Sequence, residues 1–495
     1  VEKQQYSLSS PAVLAALAVL AAFAVAALWT TAGLGAGGDE FYTYFVARPE
    51  IPLGEAVAAH WLPDNHPPLF YALARAFWWL GDTIEYKRLI NVVFLGLALG
   101  GGIAVVRRQP ALHRLSAAYL IVLASQGLGV RYVVDYRSYF LSLAAMAVLV
   151  LAIVVVHCGT AQLRRGQTAA LWAATIVAFN VHITTSILAA ATLVPFLGWY
   201  LGQRDFDRFW RLALPALAGG LVFSAISLLQ MKHWLGNTTT FWLPAGLSAA
   251  RWALEMTMLR AAQANAGLLF AGAAGLVLLT IGAIRNRSID QRLGAAILLG
   301  IGTVLATAIV VAIHLWRPFV YERYLLGYIP LIAMGLALGS DAVFDRLGSR
   351  WTAALLAICV AFGLVSVWRA AVDARWSGSW AESAAMVGRM AGECPGTIIH
   401  TNEAWNRDVL DMPPADNRAV LPMAYAMMAQ RYGFRVEQPQ SRRLAAGCHT
   451  LFWAEIVRPE GFSAADILAQ VRADGFAVNA VTVYQFNRSF VAVVR

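Results

Sequence analysis

The chain predicts a polytopic α-helical membrane protein that carries a small α/β domain after its last apolar segment, and three observations lead there. Of its 495 residues, 59% are hydrophobic and only 13% charged, with a mean hydropathy of +0.60; a water-soluble globular class is excluded. Apolar segments approaching the roughly 20 residues that a hydrocarbon core demands recur along most of the chain. Beyond about residue 370, charged residues rise and short helix-like and strand-like stretches alternate.

The first segment, 11–33, is longer than the apolar core of a signal peptide and is followed by similar segments, so it reads as a retained helix. Others lie near 89–106, 115–130, 139–157, 168–181, 186–201, 212–229, 265–284, 293–314, 324–340 and 352–370, about eleven crossings in all. The run 168–201 is divided at His182-Ile183-Thr184-Thr185, because the alternation of charged connectors requires an outward turn there. Arginine-bearing connectors at Arg107-Arg108, Arg164-Arg165, 204–211, 285–292 and 346–350 all fall on one side, which the positive-inside rule makes cytoplasmic. The outer connectors are long: 35–87, and 230–265 with Lys232, His233, Trp234, Trp242, Arg251 and Trp252, of which 248–258 suits an amphipathic surface helix. The expected division is therefore 1–370, a transmembrane unit with its site in the first outer loop, and 371–495, an outer α/β domain. Within the latter, helices are expected over 380–390, 418–432 and 464–473 and strands over 397–401, 450–456, 478–486 and 490–494. Cys394 and Cys448 each precede a strand; they form either a disulfide in an oxidising compartment or two separate buried thiols.

The formal charge of +10 comes from arginine, since lysine occurs only at positions 3, 87 and 232. Such a bias fits a GC-rich bacterial genome. In a membrane protein it points to cytoplasmic loops, anionic lipid headgroups or a phosphorylated substrate. Nucleic acid is excluded as a partner, because no soluble stretch combines basic residues with stacking aromatics. No Cys/His spacing resembles a zinc site.

Five groups carry the candidate chemistry. Gly38-Asp39-Glu40-Phe41-Tyr42 ends the first apolar segment with two adjacent carboxylates, either an interfacial helix cap or a general base with its support. His66-Pro67-Pro68-Leu69-Phe70-Tyr71 lies in the same loop, and the prolines hold the histidine backbone extended. Arg131, Asp135, Arg137 and Tyr139 sit at the next outer junction, against the topological bias for arginine. They are headgroup anchors or phosphate ligands, the latter a chemistry that guanidinium forks suit. His182 with Thr184 and Thr185 marks the proposed outward turn. Arg317-Pro318-Phe319-Val320-Tyr321-Glu322-Arg323-Tyr324 precedes the tenth segment, where Glu322 and Arg323 are a local ion pair or part of the site. Lys87-Arg88 adds a further basic position. The sum is carboxylates, cations and histidines on one membrane face.

In this order, Asp-Glu after the first helix, His-Pro-Pro-Leu-Phe-Tyr late in the first loop, Asp-Tyr-Arg-Ser-Tyr, a histidine-threonine turn and Glu-Arg-Tyr-Leu-Leu before a late helix, the chain resembles the GT-C membrane glycosyltransferases. The likeness, over about residues 10–340, is to the group of protein O-mannosyltransferases, lipid A aminoarabinose transferases and envelope galacturonosyl or mannosyl transferases. It implies a polyprenyl-phosphate sugar donor, a periplasmic cavity in the bacterial inner membrane and Asp39 as catalytic base. It also implies that Arg137 and Arg323 hold the donor phosphate, with Lys87, Arg88 and Arg131 as further candidates. Glu40, His66, Tyr42, Asp135 and His182 are then expected to contact substrate. The acceptor is an envelope glycan, lipid or protein. No metal is expected to be obligatory, although a divalent cation is compatible with the resemblance. The alternative class, a lipid-linked glycan flippase, calls for internal repeats and charged or broken mid-membrane segments, which the sequence lacks.

Overall fold

The computed structural model describes residues 11–159, 163–236, 244–375, 380–401, 417–438, 440–455, 463–486 and 489–494; Trp242 lies outside them. The helices that matter are α1 (Pro11–Gly33), α2 (Gly38–Ala47), α3 (Leu69–Ala76), α4 (Leu89–Val106), α5 (His113–Ala124), α6 (Gly127–Val133), α7 (Tyr139–Cys158), α8 (Arg165–Val181), α9 (Ile183–Gly202) and α10 (Phe206–Gly236). They continue with α11 (Leu247–Gln263), α12 (Ala266–Asn286), α13 (Gln291–Trp316), α14 (Tyr328–Phe344), α15 (Ser349–Arg375), α16 (Ala381–Glu393), α17 (Asn417–Arg431) and α18 (Ala464–Ala473). Among the described residues, eight helical spans are long and apolar enough to cross a membrane. Two further apolar helices, Pro110–Ala124 and Tyr328–Phe344, are shorter. The protein is thus a multi-pass membrane protein.

Most apolar segments emerge as single helices, and the exceptions have local causes. The run 168–201 does break at His182, whose backbone is extended (φ −160°, ψ 140°) and whose Nδ1 accepts the Thr184 amide, capping α9. The run 115–130, expected to be one helix, is two. Gln126 turns extended between α5 and α6, and its buried amide donates to the Val122 and Ala261 carbonyls, tying the break to α11. The stretch 35–87 is a string of short helices, including α2 and α3.

Close helix crossing follows small residues. α12 meets α14 at Gly272, Gly275 and Gly339, where a Cβ would run into the facing backbone; in lipid this contact of bare backbones replaces the hydrophobic drive that water supplies. α1 lies along α15, with Trp29 and Trp368 stacked at 5.5 Å.

The C-terminal unit is a four-stranded sheet of β1 (Ile398–Thr401), β2 (Thr450–Glu455), β3 (Val481–Gln485) and β4 (Ser489–Val494) in the order β1-β2-β4-β3. β1 runs parallel to β2, and the other pairs are antiparallel. Side-chain alternation covers both faces: Leu451, Trp453, Val491 and Val493 join Trp380, Val387 and Tyr425 from the α16–α17 side. Phe452, Ala454, Phe490 and Ala492 join Ile467 and Val471 of α18 on the other. The unit sits on the bundle through Phe41 against Trp380 at 5.4 Å and an ion pair of Arg431 with Glu85.

Cys394, after α16, and Cys448, before β2, are joined in a disulfide with their Cα atoms 5.8 Å apart, while Cys158 and Cys359 are free. Thiol labelling of denatured protein from cells is expected to modify two of the four cysteines before reduction and all four after. Labelling of all four without reductant would place the C-terminal unit in a reducing compartment.

Candidate active site

The glycine-rich stretch after α1 releases the chain, and α2 restarts at Gly38 behind an extended Gly37. Asp39 and Glu40 therefore occupy a first helical turn, where the helix dipole favours carboxylates. Adjacent helical residues point about 100° apart, so one carboxylate turns inward and the other toward the open end.

Glu40 is the inward one. Arg88 Nε donates to its Oε1 at 2.7 Å and Nη2 to its Oε2 at 2.6 Å, with both residues buried. The same carboxylate accepts the Gly37 and Tyr136 amides at 2.9 and 2.8 Å. Arg88 also donates to the Leu34 and Gly35 carbonyls. Four stretches of chain converge on this pair. That corrects two expectations: Glu40 is engaged with protein rather than presented to a sugar, and Arg88 spends its donors on Glu40 and backbone rather than on a phosphate.

Asp39 keeps 44% of its side chain exposed and meets Arg323 Nη1 at 2.6 Å. Arg323 comes from the 3₁₀ turn Glu322–Leu325 ahead of α14. Glu322 pairs not with its neighbour but with Arg260 of α11. Arg137, buried in the turn between α6 and α7, reaches the Asp39 carbonyl at 3.4 Å, Thr43 Oγ1 at 3.0 Å and the Tyr71 hydroxyl at 3.4 Å. Its Nε has no hydrogen-bond partner among the described residues. Both guanidinium groups face the Tyr139 ring, at 5.9 and 5.4 Å from its centroid. Arg137 also lies 6.0 Å from the Tyr42 ring, which makes Tyr42 part of the wall.

A second wall is imidazole and phenol. His66 lies 5.1 Å from His182 and 5.9 Å from Tyr324, ring to ring, and His182 is 4.9 Å from Tyr324. Burial, reinforced by His66, Arg137 and Arg323, holds His182 well below the usual imidazole range, so it is neutral. His66 Nδ1 is 3.5 Å from Asp64, and its Nε2 is buried without a hydrogen-bond partner among the described residues. Asp64 and Tyr71, the latter the end of the His66–Tyr71 motif and neither of them expected at the site, complete this side: the Tyr71 hydroxyl donates to Asp64. Burial works to raise the Asp64 carboxyl, yet His66, Arg137 and Tyr71 together hold it below the usual value. The loop keeps its shape because Gln230 of α10, fully buried, donates to the Trp61, Asp64 and His66 carbonyls.

Asp135 stands beside this centre, with its carbonyl held by Asn91 at 2.7 Å. Burial and the charges of Glu40 and Asp39, opposed by Arg137 and Arg323, push its carboxyl up to about 7. Two other expected phosphate ligands point elsewhere. Lys87 is buried, donates to the Trp78 carbonyl and lies 3.7 Å from the Trp78 ring centroid. Arg131 lines a separate cavity with Arg260 and Arg369. Of the five cations considered, the site brings together Arg137 and Arg323. Among the described residues, no three of His, Cys, Asp and Glu converge as metal ligands.

No family model matches the chain, and no curated protein matches it significantly. Solved structures do. ArnT from Cupriavidus metallidurans in the apo state is 14% identical with a TM-score of 0.53, over 96% of this chain and 97% of that one. The same protein bound to undecaprenyl phosphate is 14% identical with a TM-score of 0.54, over 97% of both chains. An Archaeoglobus fulgidus oligosaccharyltransferase in complex with zinc and sulfate is 13% identical with a TM-score of 0.48, over 98% of this chain and 73% of that one. The match to ArnT runs essentially end to end, so the chain shares the fold of that protein.

The two adjacent carboxylates should separate on substitution. Glu40→Gln strands a buried guanidinium, a loss of about 3–5 kcal/mol where buried pairs are broken one-sidedly, and is expected to lower the thermal unfolding temperature of the purified protein sharply. Asp39→Asn, at a partly exposed pair, is expected to unfold near the wild-type temperature. Equal stability of the two variants would contradict the assignment of Glu40 to the scaffold.

Proposed function

We propose that the protein is an inner-membrane glycosyltransferase that moves a sugar from a polyprenyl-phosphate carrier to a hydroxyl on an envelope acceptor, at the periplasmic face. The observation that carries this reading is the pair of guanidinium groups, Arg137 buried and Arg323 largely so, that meet at Asp39, one on its backbone carbonyl and one on its partly exposed carboxylate, at the end of a GT-C bundle. The fold is shared with ArnT, which has been seen bound to undecaprenyl phosphate. The arginine-rich connectors at the opposite end and the disulfide near the site end support the orientation. Residues 1–370 are the catalytic membrane unit in this reading, and 371–495 an outer domain that braces α2.

The reaction is a single in-line displacement. The acceptor oxygen attacks the anomeric carbon, the bond from that carbon to the phosphate oxygen breaks, and the phosphate departs with the electron pair. Asp39 takes the acceptor proton, a role worth roughly 10²- to 10⁴-fold. Arg137 and Arg323, already on the phosphate once the donor is bound, stabilise it as it departs, so little reorganisation accompanies the charge shift. Arg323 is paired with Asp39 before the donor arrives. A phosphate that draws Arg323 away frees the carboxylate, which links donor binding to the availability of the base. His66, His182 and Tyr324 form the wall against which the sugar ring packs. Configuration at the anomeric carbon inverts.

Purified protein reconstituted with a polyprenyl-phosphate sugar and membrane acceptors is expected to release polyprenyl phosphate and form a new glycosidic bond. Asp39→Asn should lower turnover at least about 10²-fold while retaining donor binding. Full activity in that variant would remove Asp39 as the base, and donor translocation with no new bond would favour a flippase.

A further inference from the structure

A second constellation of arginines lies outside the site. α6, α11 and α15 line an open cavity of about 540 Å³ at the same end of the bundle. Its walls carry Arg131 of α6, Arg260 of α11 and Arg369 of α15, with Asp373 one turn beyond Arg369. Arginine at this end runs against the topological bias of the chain, and three that line one cavity need a common cause.

Charge and position supply it. Arg260 shares its charge with Glu322, and by formal charge the three arginines, Glu322 and the Asp373 carboxylate in the lining leave one positive charge over. That is the complement of a phosphodiester. Phe362 and Val365 also line the cavity and are 46% and 47% exposed, on a face of α15 that no other part of the described chain covers. Trp368 and Trp252, exposed on α15 and α11, set the height of this cavity at the level where indoles collect, the boundary between headgroups and hydrocarbon. A cavity with cationic walls at headgroup height and an apolar flank open to lipid accepts an amphiphile with an anionic head.

We infer that this cavity binds the headgroup of an anionic phospholipid, with Arg131 and Arg369 as its phosphate ligands and its acyl chains lying along α15. The site is distinct from the Asp39 centre and does not depend on the transfer reaction proposed above. Arg260 of its wall pairs with Glu322, the residue next in sequence to Arg323.

The test uses the full-length protein in nanodiscs of equal phosphatidylglycerol and phosphatidylcholine, with lipids that survive extraction counted by native mass spectrometry. Wild type is expected to retain phosphatidylglycerol in preference. R131A/R369A should cut that retention about tenfold, the worth of one charge-assisted hydrogen bond, without changing retention of phosphatidylcholine or of added polyprenyl phosphate. Asp373→Asn, which leaves the arginines in place, should raise phosphatidylglycerol retention about two- to threefold and carries the test if the double variant fails to fold. Retention that is unchanged in both variants would overturn the inference. So would loss of polyprenyl phosphate from R131A/R369A, which would make the cavity part of the donor's own site, or displacement of the phospholipid by excess soluble glycerol phosphate.

Discussion

Glu40 and Arg88 are buried side by side, and four pieces of chain are measured from them: the end of α1 through Leu34 and Gly35, the start of α2 through Gly37, the start of α4 through Arg88 itself, and the turn before α7 through Tyr136. A charge pair without water is stable only when its remaining donors and acceptors are satisfied, and here they are satisfied by those backbones. Moving any one of them strands a charge. The position of Asp39 follows, because it is the next residue on a helix whose first turn is locked, and so does the position of Arg137, which lies one residue beyond Tyr136.

The centre that grows from this anchor is polar, partly open and built from parts distant in sequence. Asp39 and Thr43 come from α2, Asp64 and His66 from the same stretch 35–87, Arg137 and Tyr139 from the start of α7, His182 from the break before α9, and Arg323 and Tyr324 from the turn before α14. Arg137, Tyr139, His182, Arg323 and Tyr324 lie at or beside the ends of apolar helices, the place where a membrane protein can keep charge without burying it in hydrocarbon. The pieces between them are fixed by amides set into otherwise apolar helices: Asn91 holds the Val133 and Asp135 carbonyls, and Gln230 holds those of Trp61, Asp64 and His66.

Much of this was legible in the sequence. Apolar length marks the helices without tertiary information, the glycines after α1 mark its end, and the charge alternation that demanded a turn at His182 placed it correctly. The sheet strands followed from alternation and turn residues. Direction was not legible. Lys87, Arg88 and Arg131 have the charge and the location of phosphate ligands, yet Lys87 turns to Trp78, Arg88 to Glu40 and Arg131 to another cavity. Side-chain aim is decided by partners far along the chain, such as Glu40, 48 residues from Arg88. The break at Gln126 was hidden for the same reason, its partner being Ala261. Asn91 offered a signal in plain view, a polar amide inside the apolar segment 89–106, whereas Gln230 falls just past the segment 212–229.

In the proposed reaction the labour is divided: Glu40 with Arg88 builds, and Asp39 with Arg137 and Arg323 reacts. An experimental structure of the protein with polyprenyl phosphate bound tests that division most directly. The phosphate oxygens are expected on Arg137 and Arg323, with Asp39 released from Arg323 and the Glu40–Arg88 pair unchanged. A phosphate found on Arg88 or Lys87, with Glu40 swung out of its place, would contradict it.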